Sequence, residues 1–358
     1  MYNKIYVFSP TSQATGGTEL LQQLTAKLRV LGQNAFMVYT TSYDGSPVQK
    51  VFGPRYKNPY VTEIEDAKDN IMIVSEAAMY LLLNYKYIHK SVWWLSVDFY
   101  GGSFKLPTDR LHKIFYKISD KIYSSFDKKW IHFVQSEYAY NYCLNERNIP
   151  VSQIFRLSDY LSKDFIQNGR EKDKETKKED NILYNPKKGI EFTKKLIAIA
   201  PSLNWIPIQN MTAKEVSELM NKSKVYIDFG NHPGKDRIPR EAAICGCCVI
   251  TGLRGSANND IDIPIPSAYK FSEKDPKEII NMIELILDDY SNKRSDYEKY
   301  IEKILKEEIV FENEVIDFFT KDRRKETKIK QCFSTEIKRK ILKPIIYSMK
   351  FGPTLFRK

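Results

Sequence analysis

Short apolar runs alternate with amphipathic segments along most of this chain. Lys4–Pro10 (KIYVFSP), Asn34–Thr41 (NAFMVYTT), Asn70–Ser75 (NIMIVS), Ser91–Phe99 (SVWWLSVDF), His132–Gln135 (HFVQ) and Gln153–Leu157 are short and nearly continuous in apolar character. Runs of that length read as strands, and their continuity suits strands covered on both faces. Between the first two, Leu20, Leu21, Leu24, Leu28 and Leu31 recur at helical spacing, which predicts a helix from about Thr18 with Thr18 at its N-cap. Another helix is expected to open at Ser136. This alternation is the pattern of a doubly wound parallel sheet.

The pattern breaks and then restarts. Lys163–Asp180 (KDFIQNGREKDKETKKED) is charged or polar with few apolar residues, and is read as an exposed linker between domains. Beyond it, Asn181–Asn185, Asn204–Ile208, Lys224–Phe229 and Cys247–Thr251 are predicted strands, with Lys270-Phe271 a short last one. Helices are expected through Ala200, over Thr212–Lys222 with Thr212 as cap, and over 276–289, 295–306 and 307–320. The organisation expected is a first α/β domain over 1–165, a linker over 166–180, a second over 181–320, and a tail over 321–358. Two such halves imply a cleft between two sheets.

One stretch concentrates polar chemistry inside this apolar framework: Gly230–Gly252, GNHPGKDRIPREAAICGCCVITG. It lies between two strand patterns, with Pro239 placed to start a helix and Gly246 to end it. A loop that feeds a helix N-terminus offers backbone N–H groups to an anion. Lys235, Arg237 and Arg240 add positive charge there. Glu241, early in the helix, suits the dipole and can accept from a sugar hydroxyl. A solvated basic loop is the other reading of the same residues. Likewise Gly16-Gly17 either lets backbone approach a ligand or makes a flexible turn. Asp98, at the carboxyl end of its strand, either meets a substrate or caps a turn. Trp93 and Trp94 are read as core.

Charge narrows the partners. The chain's formal charge is +11, but Lys321–Lys358 holds 13 Lys and Arg against 3 Asp and Glu, a net of +10, leaving +1 for the rest. A near-neutral body argues against nucleic acid as a partner. The tail mixes basic and apolar residues (IKRKILKPII), which suits contact with an anionic membrane surface; a disordered tail, or a helix packed on the body, is the alternative. The first residues enter a strand pattern at once, without the look of a leader. The five cysteines show no zinc spacing and are read as reduced, buried residues. The localisation expected is cytoplasmic, peripheral on the inner face of the membrane. The strand–loop–helix start lacks G-x-G-x-x-G, which speaks against a dinucleotide oxidoreductase.

Over about residues 1–320 the chain resembles the GT-B glycosyltransferases, in particular the retaining group 1 set that builds bacterial surface polysaccharides. The resemblance rests on Gly16-Gly17 after the first strand, on NPKKG after the first strand of the second half, and on REAAICGCCVIT, which is similar to the family's E-A-x-A-x-G-x-P-V-I. It implies two Rossmann-like domains facing across a cleft and a nucleotide-sugar donor. The acceptor implied is a polysaccharide or lipid-linked saccharide, and the outcome retaining. Glu241 would then contact the donor ribose, Lys187 or Lys188 the diphosphate, and Gly16 and Gly17 would face diphosphate and acceptor. The family's first glutamate would fall on Pro233, so that acid is missing, and Asp236 is the candidate substitute. No cofactor or metal is expected, on the reading that no paired Asp-x-Asp offers a divalent ion a place between carboxylate and diphosphate; Lys187, Lys188, Lys235 and Arg237 are the fixed cations that can stabilise the leaving group instead. Asp98 is the candidate for acceptor contact or proton removal, with Lys235 and Arg237 the other catalytic candidates. The missing glutamate also motivates a second expectation, a catalytically silent nucleotide-sugar-binding or scaffold subunit; a hydrolase or epimerase is a further one.

Overall fold

The computed structural model describes residues 1–39, 48–100 and 127–321. Contacts divide the chain into two units: residues 1–135, 139–158 and 311 onward in the first, 136–138 and 159–310 in the second.

The first unit is built on seven strands: β1 (Ile5–Ser9), β2 (Ala35–Tyr39), β3 (Tyr60–Val61), β4 (Ile71–Ser75), β5 (His89–Trp94), β6 (Ile131–Val134) and β7 (Ile154–Arg156). They pair in the order β3-β2-β1-β4-β5-β6-β7, and each pair is parallel. Strand β1 lies between β2 and β4, with Ile5 opposite both Ala35 and Ile71. The direction of winding therefore reverses at β1, where such sheets bind ligands beyond the strands' carboxyl ends. Trp93 and Trp94 are fully buried, as expected of core. Their indole N–H groups donate to Leu157 O and His132 Nδ1, both at 2.9 Å. Phe318 packs edge-on against Phe133 and Phe155 at 4.7 and 4.8 Å. The expected strand over 91–99 starts two residues earlier and stops at Trp94, because Val97–Phe99 turns into a short 3-10 helix. The short edge strand β3 had no counterpart in the sequence reading.

Helix α1 (Gly16–Val30) begins earlier than its apolar stripe suggested. Thr15, not Thr18, is the N-cap: Thr15 Oγ1 accepts from Thr18 N and Thr18 Oγ1 accepts from Thr15 N, a reciprocal capping box. Gly16 and Gly17 thus form the helix's first turn.

The second unit has four strands: β8 (Glu179–Tyr184), β9 (Asn204–Pro207), β10 (Ser223–Asp228) and β11 (Cys248–Thr251), ordered β11-β10-β8-β9 and parallel throughout. Lys270 makes an isolated bridge to Thr251 in place of the last strand expected at 270–271. The segment expected as a linker is different in kind: Lys163–Glu175 is a helix, α2. Its Phe165 and Ile166 pack on the core. A Cβ at Gly169 would stand 3.0 Å from Ile244 Cγ2 and 3.2 Å from Cys245 Sγ, so the bare backbone is what lets this face approach. Two or three apolar residues one turn apart were enough to bury one side of a segment whose average is polar.

Helices α3 (Ile190–Ile199), α4 (Ala213–Lys222), α5 (Arg237–Ile244) and α6 (Pro276–Asp288) flank this sheet. Thr212 caps α4 with Glu215 in a capping box, as the sequence predicts. Where two helices were expected over 295–320, one runs through, α7 (Glu298–Phe319). Among the described residues no helix is long and apolar enough to cross a membrane. All but Lys321 of the 321–358 tail, with Cys332, lies outside the described residues, as do Thr40-Thr41 of the second predicted strand and Gly101-Gly102.

Candidate functional site

In the second sheet the winding reverses between β8 and β10: β8 leads outward to β9, β10 to β11. Two loops leave the carboxyl ends of these adjacent strands, Asn185–Gly189 after β8 and Phe229–Asp236 after β10. They are pressed together. Gly189, with φ +62°, has backbone atoms of Phe229 and Gly230 at 2.6–2.7 Å from where a Cβ would be, so no side chain fits there. This close approach brings Lys188 beside the second loop.

The second loop runs into α5. That helix begins at Arg237 with Asp236 as N-cap, two residues before Pro239. Pro239 is the third helical residue, whose N–H would have no intrahelical acceptor in any case. Glu241 therefore lies in the second turn, half-buried, and not in the first as expected. The helix stops as predicted at Gly246: Gly246 N bonds Ala243 O at 3.0 Å and Cys247 N bonds Ala242 O at 2.8 Å, a Schellman closure.

Two clusters of charge flank the start of α5. In one, Arg240 is fully buried and forks between two acids, with Nη2 2.6 Å from Asp159 Oδ2 and Nη1 2.7 Å from Glu307 Oε2. Lys235 Nζ lies 2.6 Å from Glu307 Oε1, and Arg237 Nη2 3.3 Å from Asp159 Oδ1. Burial alone would push the Asp159 carboxyl up, but Arg240, Arg237 and Lys235 outweigh it and hold it below its usual value. Burial likewise opposes the Arg240 charge, and Asp159 and Glu307 more than restore it. Arg240 and Lys235 are thus not the ligand-facing cations expected of them: their charge is spent inside the protein.

In the other cluster, His232 is fully buried between Asp228 and Asp236. Its Nδ1 is 3.0 Å from Asp236 Oδ2 and its Nε2 3.5 Å from Asp228 Oδ1. Neither ring nitrogen is aligned for a hydrogen bond, so charge holds the ring. Burial disfavours the imidazolium, yet the two carboxylates raise its pKa to about 9. Asp228 Oδ1 also accepts Gly230 N–H at 3.0 Å and Oδ2 the Tyr226 hydroxyl at 2.9 Å. Lys188 Nζ sits 2.5 Å from Asp236 Oδ2, with about a third of its side chain exposed.

Asp228, His232 and Asp236 are also spaced closely enough to ligate a metal ion. Their engagement argues otherwise: the two ring nitrogens face different carboxylates, and a lysine ammonium already sits on one of them. The chain does hold an Asp-x-Asp, Asp260-Ile261-Asp262, which the sequence reading passed over. Asp262 accepts Glu137 N and Tyr138 N at 2.7 and 2.9 Å, and Asp260 pairs with Lys270 at 2.7 Å, so neither is poised for an ion.

The remaining candidates fall as follows. Lys187 is exposed, its N–H bonded to Asn185 Oδ1 at 3.0 Å. Gly16 and Gly17 lie beyond β1 at the first sheet's own reversal, with no intrahelical acceptor for their N–H groups. Asp98 is exposed in the 97–99 turn beyond β5. The backbone just before that turn is held from both sides: Leu95 N donates to Glu76 Oε2 at 2.8 Å, and Gln135 Nε2 donates to Leu95 O at 3.0 Å. Burial raises the Glu76 carboxyl to about 7 against the backbone hydrogen bonds it accepts. The sequence reading missed Glu76, Asp159, Asp228, His232 and Glu307. For Asp228 a signal existed: it ends a buried strand, and His232 and Asp236 follow at four-residue steps.

No protein-family model and no curated protein matches this chain. Solved structures do. It is similar to a glycosyltransferase from Rickettsia africae, at 13% identity over 98% of this chain and 99% of that one, TM-score 0.56. It is similar also to Anabaena HepE in complex with UDP and glucose, at 9% identity over 89% and 100%, TM-score 0.62. A third is the sucrose-phosphate synthase of Thermosynechococcus elongatus, at 11% identity over 95% and 99%, TM-score 0.57. At such identities the likeness is one of fold, and that fold, two parallel α/β units, is GT-B.

Proposed function

We propose that this chain is a glycosyltransferase that takes a nucleotide-sugar as donor and passes the sugar to a saccharide or lipid-linked acceptor of a surface polysaccharide pathway. The observation that carries this reading is the meeting of the Lys188 loop and the α5 N-terminus at the reversal of the second sheet. On the same fold, HepE binds UDP and glucose. In transfer, the bond from the sugar's anomeric carbon to the diphosphate breaks, one forms to an acceptor oxygen, and the hydroxyl proton leaves. Lys188 and Lys187, with the N–H groups at the start of α5, would stabilise charge on the departing diphosphate without a metal. Glu241 would take the ribose. Arg237, at the start of α5 and less deeply buried than Arg240, would add to that field. Asp98 would accept the proton, and Gly16 and Gly17 would face the acceptor side; the outcome would be retaining. The basic tail would hold the protein at an anionic membrane surface.

The test is calorimetric titration with UDP-, GDP- and ADP-sugars, then turnover on saccharide acceptors with and without EDTA. Binding with turnover, weakened by Lys188→Ala and Glu241→Ala and slowed by Asp98→Asn, supports the reading. Binding of a sugar nucleotide with no transfer or hydrolysis would instead make it a silent binding subunit, the reading that the missing acid at Pro233 favours. Deletion of 322–358 that leaves partitioning to anionic vesicles unchanged would remove the membrane role.

A further inference from the structure

Asp236 occupies the N-cap of α5, yet its carboxylate does not cap the helix. The ordinary place for an N-cap aspartate's oxygen is over the N–H groups of the first turn. Here Oδ2 instead lies between the His232 ring at 3.0 Å and the Lys188 ammonium at 2.5 Å. The ring is anchored behind by Asp228, which Gly230 N–H and the Tyr226 hydroxyl fix in turn. Its own carbonyl accepts Ser256 N–H at 2.9 Å, and Ser256 Oγ donates to Gly234 O at 2.7 Å, so the loop around it is pinned. A rigid sequence of alternating charge thus runs from the end of β10 out to Lys188.

Building on the donor-site reading above, we propose that His232 is a positioning residue for the donor. As the cation between two aspartates, it holds the Asp236 carboxylate off the helix N-terminus and on Lys188. Two consequences follow for a diphosphate. The ammonium is set at the mouth of the loop. The first-turn N–H groups are kept from a carboxylate that would both occupy them and repel an anion. Remove the positive ring, and Asp236 loses the partner that draws it inward; its default then becomes the cap.

The charged and titratable groups facing His232 are Asp228 and Asp236, with Tyr226 behind the first and Lys188 beyond the second. Lys188 acts through Asp236, so the effects of His232 and Lys188 should be coupled. The test is a double-mutant cycle on UDP and UDP-glucose affinity in the full chain, using His232→Asn, Lys188→Ala and the pair, with circular dichroism as the check on folding. Expected is a loss of about tenfold or more on His232→Asn that shrinks when Lys188 is already alanine, what remains being the share of the first-turn N–H groups. A KM effect larger than the kcat effect, and donor affinity that falls above about pH 9 in the wild type but not in His232→Asn, belong to the same result. Should His232→Asn fail to fold, Asp236→Asn carries the same cycle on a more exposed side chain. Unchanged UDP affinity in His232→Asn and Asp236→Asn while Lys188→Ala weakens it, or losses that simply add to that of Lys188→Ala, would overturn the inference alone. Wild-type protein that binds no UDP, GDP or ADP species would overturn the donor-site reading and this inference with it.

Discussion

The stretch from Gly230 to Glu241, a loop and the start of α5, feeds two charge clusters with opposite fates. Around Arg240, two cations and two acids are sealed, each side chain under a tenth exposed, with Arg237 at the margin. Around His232, the ring and Asp228 are equally buried, but the series ends on Lys188, which reaches solvent. Both clusters pair cations with carboxylates, and the members each draws from this stretch lie a few positions apart. What separates them is whether the last member is enclosed. A closed network satisfies itself and holds the loop against Asp159, just before α2, and Glu307 of α7, whereas an open one leaves a cation whose place the buried members decide. Lysines and arginines near a helix start are therefore not interchangeable as anion ligands.

The sharpest way to break this comparison is to remove one partner from the sealed cluster. Arg240→Met should leave Asp159 and Glu307 buried with one cation each, Arg237 and Lys235, where they had two, and cost about 3–5 kcal/mol in urea unfolding. Loss below about 1 kcal/mol would show the network to be open after all. Next in size, Lys188→Ala should change stability by less than about 1 kcal/mol, because its pair is partly exposed. It should weaken donor binding by about ten- to a hundredfold, the value of a charge-assisted contact. The reverse assignment, a stability loss with donor binding intact, would make Lys188 structural.

Smaller still is the pH dependence of unfolding, in which the His232 cluster adds an alkaline limb to the acid one both share: against burial, His232 and Lys188 hold the Asp228 carboxyl below its usual value, as the cations do for Asp159. The folded His232 pKa of about 9 lies above its usual 6.5, so its stabilisation is complete below about pH 6.5 and is lost as pH rises through 9. The Asp159 carboxyl is held below its usual 3.8, so its contribution is present above that value and is lost as pH falls through the lowered one. Arg240→Met should weaken the acid limb and leave the alkaline one, whereas His232→Asn should abolish the alkaline limb and weaken the acid one through Asp228. An alkaline limb lost in Arg240→Met would merge the two clusters, and one kept in His232→Asn would take it away from the ring.

Much of the fold was legible because local chemistry decides it. The strand cores, the alternation that makes both sheets parallel, the capping box of Thr212-Glu215 and the stop at Gly246 all rest on residues within a few positions of one another. The misreadings have a common cause. Helix α2 was read as a linker because its mean composition is polar, while the burial of Phe165, Ile166 and Gly169 depends on a partner, α5, some seventy residues on. Helix α1 was started too late because a capping box between two threonines looks like a single cap at either.

By itself, then, the amino-acid order determined where most strands and helices lie, that the central strands are buried on both faces, and that cations gather near one helix start. Tertiary structure alone decided which of those cations are spent. Arg240 meets Asp159 and Glu307 across 81 and 67 residues of chain, and Lys188 meets Asp236 across 48. Charge is a property of a residue, but its availability depends on what folding brings within about 3 Å of it, where Coulomb attraction is strong enough to claim it.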